Sequence, residues 1–257
     1  MIRIIAVKEV LITVYNPDDQ LITSLSLPNC RELGGMPLEG GKAFRKGVFI
    51  RSSSPEKLTP EQILEVKEYG VKCVVDLRAE AELKDFGNPF QNDPDVDFCF
   101  VSLFPGDPNN LSDELLDFIR KRHLGDYYVR ICEDLGKDVI KTMRYLLNSK
   151  GLTLFHCTHG KDRTGTITAL LYLLAGASRE NIILNYQASY KYLEKYLERR
   201  MAKMPDDMKH LLRSDKLNME IFLDYVDERW NGDISGFFRF NGMTDEEIVQ
   251  LKAKCVE

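Results

Sequence analysis

No charge of one sign dominates this chain. Its 257 residues carry 35 basic and 40 acidic side chains, a net charge of −5, so no global field gathers nucleic acid or an anionic membrane. An anionic substrate must meet a local positive site instead. Long hydrophobic runs are missing too, and nothing reaches the length of a membrane span. The apolar start, residues 1–15, is broken by Arg3, Lys8 and Glu9 and no small-residue cleavage site follows, which argues against a secretory signal. The six cysteines, Cys30, Cys73, Cys99, Cys132, Cys157 and Cys255, are too dispersed for a disulfide scaffold. A reducing, cytoplasmic setting is therefore the default, with export by a route without a signal left open. Internal repeats and low-complexity tracts are absent. At this length and 44% hydrophobic content, the expectation is one elaborated domain over 1–257.

What is present alternates strand and helix. Thr59 is an N-cap residue with Pro60 at the first helical position, and Gly70 closes that helix. A β-rich run over 71–75 follows, ending at Asp76-Leu77-Arg78. Tyr127, Ile131, Leu135, Val139, Met143 and Leu146 recur at helical spacing, which predicts one long amphipathic helix. Residues 152–155 read as a buried strand, and 166–175 as a helix apolar on nearly all sides, ended by Gly176. This order implies an α/β fold with a mostly parallel central sheet flanked by helices. Residues 180–204 and 217–230 read as further helices, a lid or flank over about 180–230, and Thr244 with Glu247 marks a last one. Gly/Pro-rich stretches over 29–47 and 88–110 read as surface loops.

Between the strand at 152–155 and the next helix lies His156-Cys157-Thr158-His159-Gly160-Lys161-Asp162-Arg163-Thr164-Gly165. A short loop entering a helix turns N–H groups inward and adds the partial positive charge of the helix N-terminus, which suits a phosphate dianion. Gly160 allows a sharp turn, and Arg163 offers a fork that matches two phosphate oxygens. The same environment favours the thiolate of Cys157, with Thr164 placed to donate its hydroxyl to the sulfur. His156 reads as a structural neighbour of the loop. The expected chemistry is cleavage of phosphate monoesters through a phosphocysteine on Cys157, with Thr158, His159, Gly160, Lys161 and Thr164 around the phosphate. Two plainer readings compete: an ordinary strand–helix junction, and a metal site of His156, Cys157 and His159. The second lacks another cluster with ligand spacing to complete four ligands, and no cofactor is called for.

The loop resembles the HCxxGKDRTG signature of the bacterial tyrosine phosphatase-like family that includes mycobacterial and Listeria secreted tyrosine and lipid phosphatases. Asn29-Cys30-Arg31-Glu32-Leu33-Gly34-Gly35, Lys46 to Ser52, Val75 to Arg78, and Ser235 to Arg239 are similar to further segments of that family, so the resemblance spans about 25–255. It implies a cysteine-phosphatase fold and hydrolysis of phosphotyrosine, with phosphoinositides or phosphoserine and phosphothreonine in several members. The expected partners are accordingly phosphotyrosine proteins, phosphoinositides or both.

The leaving oxygen needs a proton donor. The Trp-Pro-Asp loop of mammalian tyrosine phosphatases is absent, since the lone Trp230 precedes Asn231. Asp162 inside the loop is favoured, an arrangement similar to that of myotubularin lipid phosphatases; a loop-stabilising ion pair is its plainer role. Asp126 is the runner-up, at about the interval used by dual-specificity phosphatases, although it could simply cap a helix beginning at Tyr127. Asp76 stands at the carboxyl end of a strand, where α/β folds bind ligands, or it pairs with Arg78 as a buried anchor. Lys161, with His159, could add positive charge for a substrate bearing a second phosphate, or be merely solvated. The stretch 191–216, with eight basic and five acidic residues, could rest on an anionic membrane or cover the pocket, and the lid is preferred. A phosphate-binding module without turnover and a redox or sulfur-transfer enzyme using the same thiolate remain the alternatives, the latter without a second cysteine in the loop; Cys30 or Cys73 could approach Cys157 in space and protect it by reversible oxidation. Oligomeric state is not legible.

Overall fold

The computed structural model describes residues 15–104 and 112–257. The apolar start and the last part of the loop expected over 88–110 lie outside the described residues. In chain order the elements are β1 (Arg31–Glu32), β2 (Phe49–Ser52), α1 (Pro60–Glu68), β3 (Val71–Asp76), α2 (Glu80–Phe86), β4 (Asp97–Phe100), α3 (Asp113–Lys121), α4 (Leu124–Asp134), α5 (Gly136–Asn148), β5 (Leu152–His156), α6 (Asp162–Ala175), α7 (Arg179–Lys203), α8 (Lys216–Trp230), α9 (Ile234–Phe240) and α10 (Asp245–Cys255). A 3-10 segment, Asp206–Leu212, joins α7 to α8.

The five strands lie in the order β1-β2-β5-β3-β4, with β1 antiparallel and the rest parallel. Alternation along the strands sorts the apolar side chains onto two faces. Phe49, Val75 and Phe155 join the larger cluster with α4, α5, α6 and α10, whereas Ile50, Val74 and Leu154 face Val66 of α1. The helix α6 is buried along nearly its whole length, which explains a sequence apolar on all sides. Gly176, in the left-handed region at φ 94°, ends it. Thr59 caps α1 in a capping box with Gln62, and Thr244 caps α10 with Glu247.

Two expected helices differ. The stripe from Tyr127 to Leu146 is divided, because Leu135 leaves helical geometry (φ −119°, ψ 24°) and serves as the end of α4 and the start of α5. A Cβ on the adjacent Gly136 would stand 2.1 Å from Asn241 Oδ1, so the residue that follows α9 presses on the break. Both pieces face the same core, which is why the apolar period runs on unbroken. Helix α6 starts at Asp162, four residues before the expected apolar run, so Arg163 and Thr164 belong to its first turn.

Candidate active site

Cys157 follows β5 directly and is 2% exposed, at the carboxyl end of the parallel strands. The loop after it is shaped by partners on its carbonyls. Ser54 N–H donates to Thr158 O, Ser53 Oγ and Asn29 Nδ2 to His159 O, and Asn29 Nδ2 and Arg51 Nη2 to Gly160 O, at 2.6–3.1 Å. With its carbonyls turned outward, the loop leaves its N–H groups to the concave side. Gly160 has φ 64°, and a Cβ there would lie 2.2 Å from Ser52 O. The turn and the close approach both require glycine.

Beneath the loop lie two wholly buried arginines. Arg51 also meets Asn185 Oδ1 at 3.0 Å, while Arg31 binds Asn185 O at 2.5 Å and Ser189 Oγ at 2.8 Å. Among the described residues neither forms an ion pair with a carboxylate. Burial, with Arg31 adding repulsion, pulls Arg51 from 12.5 down to about 9, so it keeps its charge at neutral pH. Two guanidiniums without acid partners supply a positive field under the loop that favours a thiolate and a phosphate above it.

Arg163 points its fork at a residue the sequence reading did not single out. Glu82, in the first turn of α2, receives Arg163 Nη1 on Oε2 at 2.5 Å and Nη2 on Oε1 at 3.2 Å. It also accepts from Thr158 Oγ1 and from Ala79 N–H, the latter at 2.8 Å. Burial alone would raise the Glu82 pKa, but Arg163 and these donors hold it from 4.5 down to about 2. The carboxylate engages the two terminal nitrogens of Arg163, and Nε makes no hydrogen bond among the described residues.

A cavity of about 310 Å³ opens beside the loop, lined by Glu82, Thr158, Asp162 and Arg163 of the site, by the polar Arg122, His123 and Arg200, and by apolar side chains that include Phe104, Tyr127, Met204 and Leu211. Asp162 Oδ1 accepts from Tyr128 Oη at 2.5 Å and lies 3.5 Å from Lys161 Nζ. Arg200, Met204, Met208, Leu211 and Leu212 also line the cavity. Asp126 does not line it, and is no N-cap: α4 starts three residues before Tyr127, and Asp126 accepts from His123 N–H at 3.2 Å. Asp76 and Arg78 are also off this cavity. Arg78 grips Asp76 with Nε and Nη2, at 3.0 and 2.7 Å, and reaches Glu56 at 2.7 Å. Asn88 Nδ2 bridges Asp76 Oδ2 and His156 Nε2, each at 2.9 Å. Because Asn88 Oδ1 accepts from Phe90 N–H, its Nδ2 is the donor, and His156 carries its proton on Nδ1, facing Cys157 O at 3.2 Å. Burial lowers the His156 pKa.

Three expectations about loop side chains change. Lys161 is neither solvated nor free for a ligand: it is 1% exposed, and Nζ donates to Leu211 O at 2.7 Å and Arg213 O at 2.6 Å. Those carbonyls belong to the 3-10 segment and the residue after it, so the lysine ties that segment to the loop. His159 adds no cation, since burial, aided by Arg200 and Lys161, lowers it from 6.5 to about 4. Thr164 Oγ1 is buried with no hydrogen-bond partner among the described residues, so the bond to the Cys157 sulfur is not made. Neither Cys30 nor Cys73 is placed to pair with Cys157. Cys30 packs in the cluster on the other face of the sheet. Cys73 lies opposite Thr153, four residues before Cys157, about 13 Å back at strand rise, beyond disulfide reach. Among the described residues no group of three or more His, Cys, Asp or Glu is arranged to hold a metal ion, and no helix is long and apolar enough to cross a membrane.

The chain is also similar to known proteins. The profile of the tyrosine phosphatase family matches residues 22–257. A Cupriavidus necator protein, whose name provisionally assigns it to the tyrosine-protein phosphatases, is 27% identical over 245 residues, covering 88% of this chain and 85% of its own. A tyrosine-protein phosphatase of Nostoc commune is 33% identical over 155 residues, 59% of this chain and 51% of the relative. Among solved structures, the core catalytic domain of the PP-IP phosphatase SIW14 from S. cerevisiae, in complex with citrate, is 18% identical, with 81% of this chain and 97% of that chain covered at a TM-score of 0.34.

Proposed function

Since the chain belongs to the tyrosine phosphatase family and is a phosphatase, we propose that it works through a phosphocysteine on Cys157, with phosphotyrosine as its first substrate. The observation that carries this reading is the loop itself: carbonyls pinned outward, a buried cysteine at its base, and Arg163 held at its rim by Glu82. In this mechanism the N–H groups and the side of the Arg163 fork that includes Nε bind the phosphate oxygens. A lone pair of the Cys157 thiolate forms the S–P bond as the P–O pair leaves on the ester oxygen. Asp162, which lines the cavity, gives that oxygen its proton and later takes one from the water that cleaves the S–P bond.

The apolar part of the cavity wall, Phe104, Tyr127, Met204 and Leu211, offers contact to an aryl leaving group, beside the polar Arg122, His123 and Arg200. Broader action, on phosphoinositides or phosphoserine and phosphothreonine, belongs to the same chemistry. A second substrate phosphate would meet Lys161 only after the ammonium lets go of Leu211 O and Arg213 O.

Phosphate release from phosphopeptides and phosphoinositides, with Cys157→Ser, Asp162→Asn and Asp126→Asn beside the parent, tests the assignment. Cys157→Ser should abolish turnover and Asp126→Asn leave it near the parent value. Turnover that survives Cys157→Ser overturns the mechanism, and an Asp162→Asn enzyme with unchanged rate and pH profile moves the acid elsewhere. Phosphoinositides outpacing phosphotyrosine peptides would overturn the substrate order.

A further inference from the structure

Behind Asp162 lies a row of buried polar groups that the phosphocysteine chemistry does not itself require. Tyr128, 0% exposed, stands on α4, with its hydroxyl 2.5 Å from Asp162 Oδ1 and 2.6 Å from the hydroxyl of Tyr186 on α7. Tyr186 in turn lies 3.3 Å from Asn218 Nδ2 on α8. The Tyr128 ring is held edge-on against Tyr186 and Phe222, with centroids 5.8 and 6.5 Å apart, so its hydroxyl has little freedom to wander.

The direction of the chain follows from its two ends. Asn218 Oδ1 accepts from Leu124 N–H at 3.1 Å, which fixes the amide and leaves Nδ2 as the group facing Tyr186. An amide nitrogen only donates. Tyr128 gives its one proton to Asp162 Oδ1, so towards Tyr186 it can only accept; Tyr186 therefore gives its proton to Tyr128 and accepts from Asn218. Lys161 Nζ, 3.5 Å from the same oxygen, is a donor as well. Asp162 Oδ1 thus faces donors alone, whereas Oδ2 accepts no hydrogen bond among the described residues.

We propose that Asn218, Tyr186 and Tyr128 form a one-way hydrogen-bond chain that positions the Asp162 carboxyl and reserves Oδ2 for the proton delivered to the leaving oxygen. The inference rests on the reading of Asp162 as the acid. In the first step the Oδ2–H bond breaks as its proton passes to the ester oxygen, which keeps the P–O pair. In the second, water gives a proton to Oδ2 as its oxygen bonds to phosphorus, and the S–P pair returns to Cys157. Throughout, Oδ1 stays an acceptor. Tyr128 touches no reacting atom and acts through Asp162, as a positioning residue.

The test compares two substrates that differ in their need for a proton: p-nitrophenyl phosphate, whose leaving group departs readily, and phenyl phosphate, whose leaving group does not. Tyr128→Phe should lower kcat on phenyl phosphate about tenfold, a part of the 10²–10⁴ that a positioned acid contributes, and on p-nitrophenyl phosphate by only about twofold, with KM little changed. Tyr186→Phe, which leaves the Tyr128 donor in place, should show the same selectivity at about threefold. It carries the test by itself if Tyr128→Phe does not fold. A damaged fold would slow both substrates alike, so an equal loss on both, or none, overturns the chain while Asp162→Asn remains leaving-group selective. If Asp162→Asn itself shows no selectivity, the acid reading falls and the chain with it.

Discussion

Replacing Glu82 by Gln probes the strongest electrostatic contact at the loop. The carboxylate collects four donors: two from Arg163, one from Thr158 and one from Ala79 N–H. Gln keeps the shape but brings an amide that must present hydrogens to at least one of those donors. Two consequences can be sized. The carboxyl falls from 4.5 to about 2 in the fold, which at about 1.4 kcal/mol per pKa unit is at most about 3.5 kcal/mol. With the side chain still 17% exposed, screening trims this to about 2 kcal/mol. A carboxyl depressed in the fold lends stability above its ordinary pKa and loses it as pH falls from about 4.5 towards 2. The parent should therefore lose stability through that window relative to Glu82→Gln, and the two urea midpoints should converge there.

The second consequence is catalytic. Without the strut, Arg163 must be ordered by the substrate, and fixing a free arginine side chain costs up to roughly 2 kcal/mol. That corresponds to about a 30-fold loss in kcat/KM, and inorganic phosphate should inhibit more weakly by a similar factor. Steady-state kinetics on p-nitrophenyl phosphate at fixed ionic strength read both. A Glu82→Gln enzyme that is faster than the parent and binds phosphate more tightly would refute the reasoning, because Glu82 would then be occupying the phosphate position rather than bracing the arginine.

Other perturbations have equally definite outcomes. Gly160→Ala puts a methyl 2.2 Å from Ser52 O at φ 64°, so the loop must distort; a drop of more than about 2 kcal/mol in urea unfolding is expected, with activity lost. Lys161→Met removes the donor from Leu211 O and Arg213 O, and the 3-10 segment should be cut by trypsin at Lys209 and Arg213 several times faster than in the parent. A protected segment would show that packing alone holds it. His156 is buried with a lowered pKa, so the unfolded chain takes up its proton first and stability should decline as pH drops below 6.5. In His156→Gln that slope should become shallower, with His159, lowered from 6.5 to about 4, keeping the rest, and a slope unchanged by the substitution assigns it to other groups.

How far the sequence reaches depends on whether a residue announces its role through its neighbours. Thr59 and Thr244 are caps that any reading finds, because a hydroxyl residue stands before Gln62 or Glu247 at the right interval, and both boxes are formed. Glu82 occupies the same third position in α2 and folds back to the same kind of N–H, yet the N-cap residue is Ala79, so the pattern that would have flagged it is missing its first half. Its second partner, Arg163, is 81 residues away and leaves no local trace. Tyr128 was hidden for another reason. It neighbours Tyr127 in a stripe whose helical period already accounts for an aromatic residue by burial, and a buried tyrosine reveals a polar duty only when its hydroxyl's partner is known. Lys161 shows the converse error: adjacency to Arg163 in sequence suggested shared duty, but at the start of α6 successive side chains diverge by about 100°, and the lysine turns to the 3-10 segment while the arginine turns to Glu82. Periodicity and capping therefore delivered β3, β5 and most of the long helices, whereas β1 and β4 run through stretches read as surface loops and β2, α2 and α3 went unread. The side chains that aim Arg163 and Asp162 come from α2, α4 and α7, and only the closure of the fold brings them together.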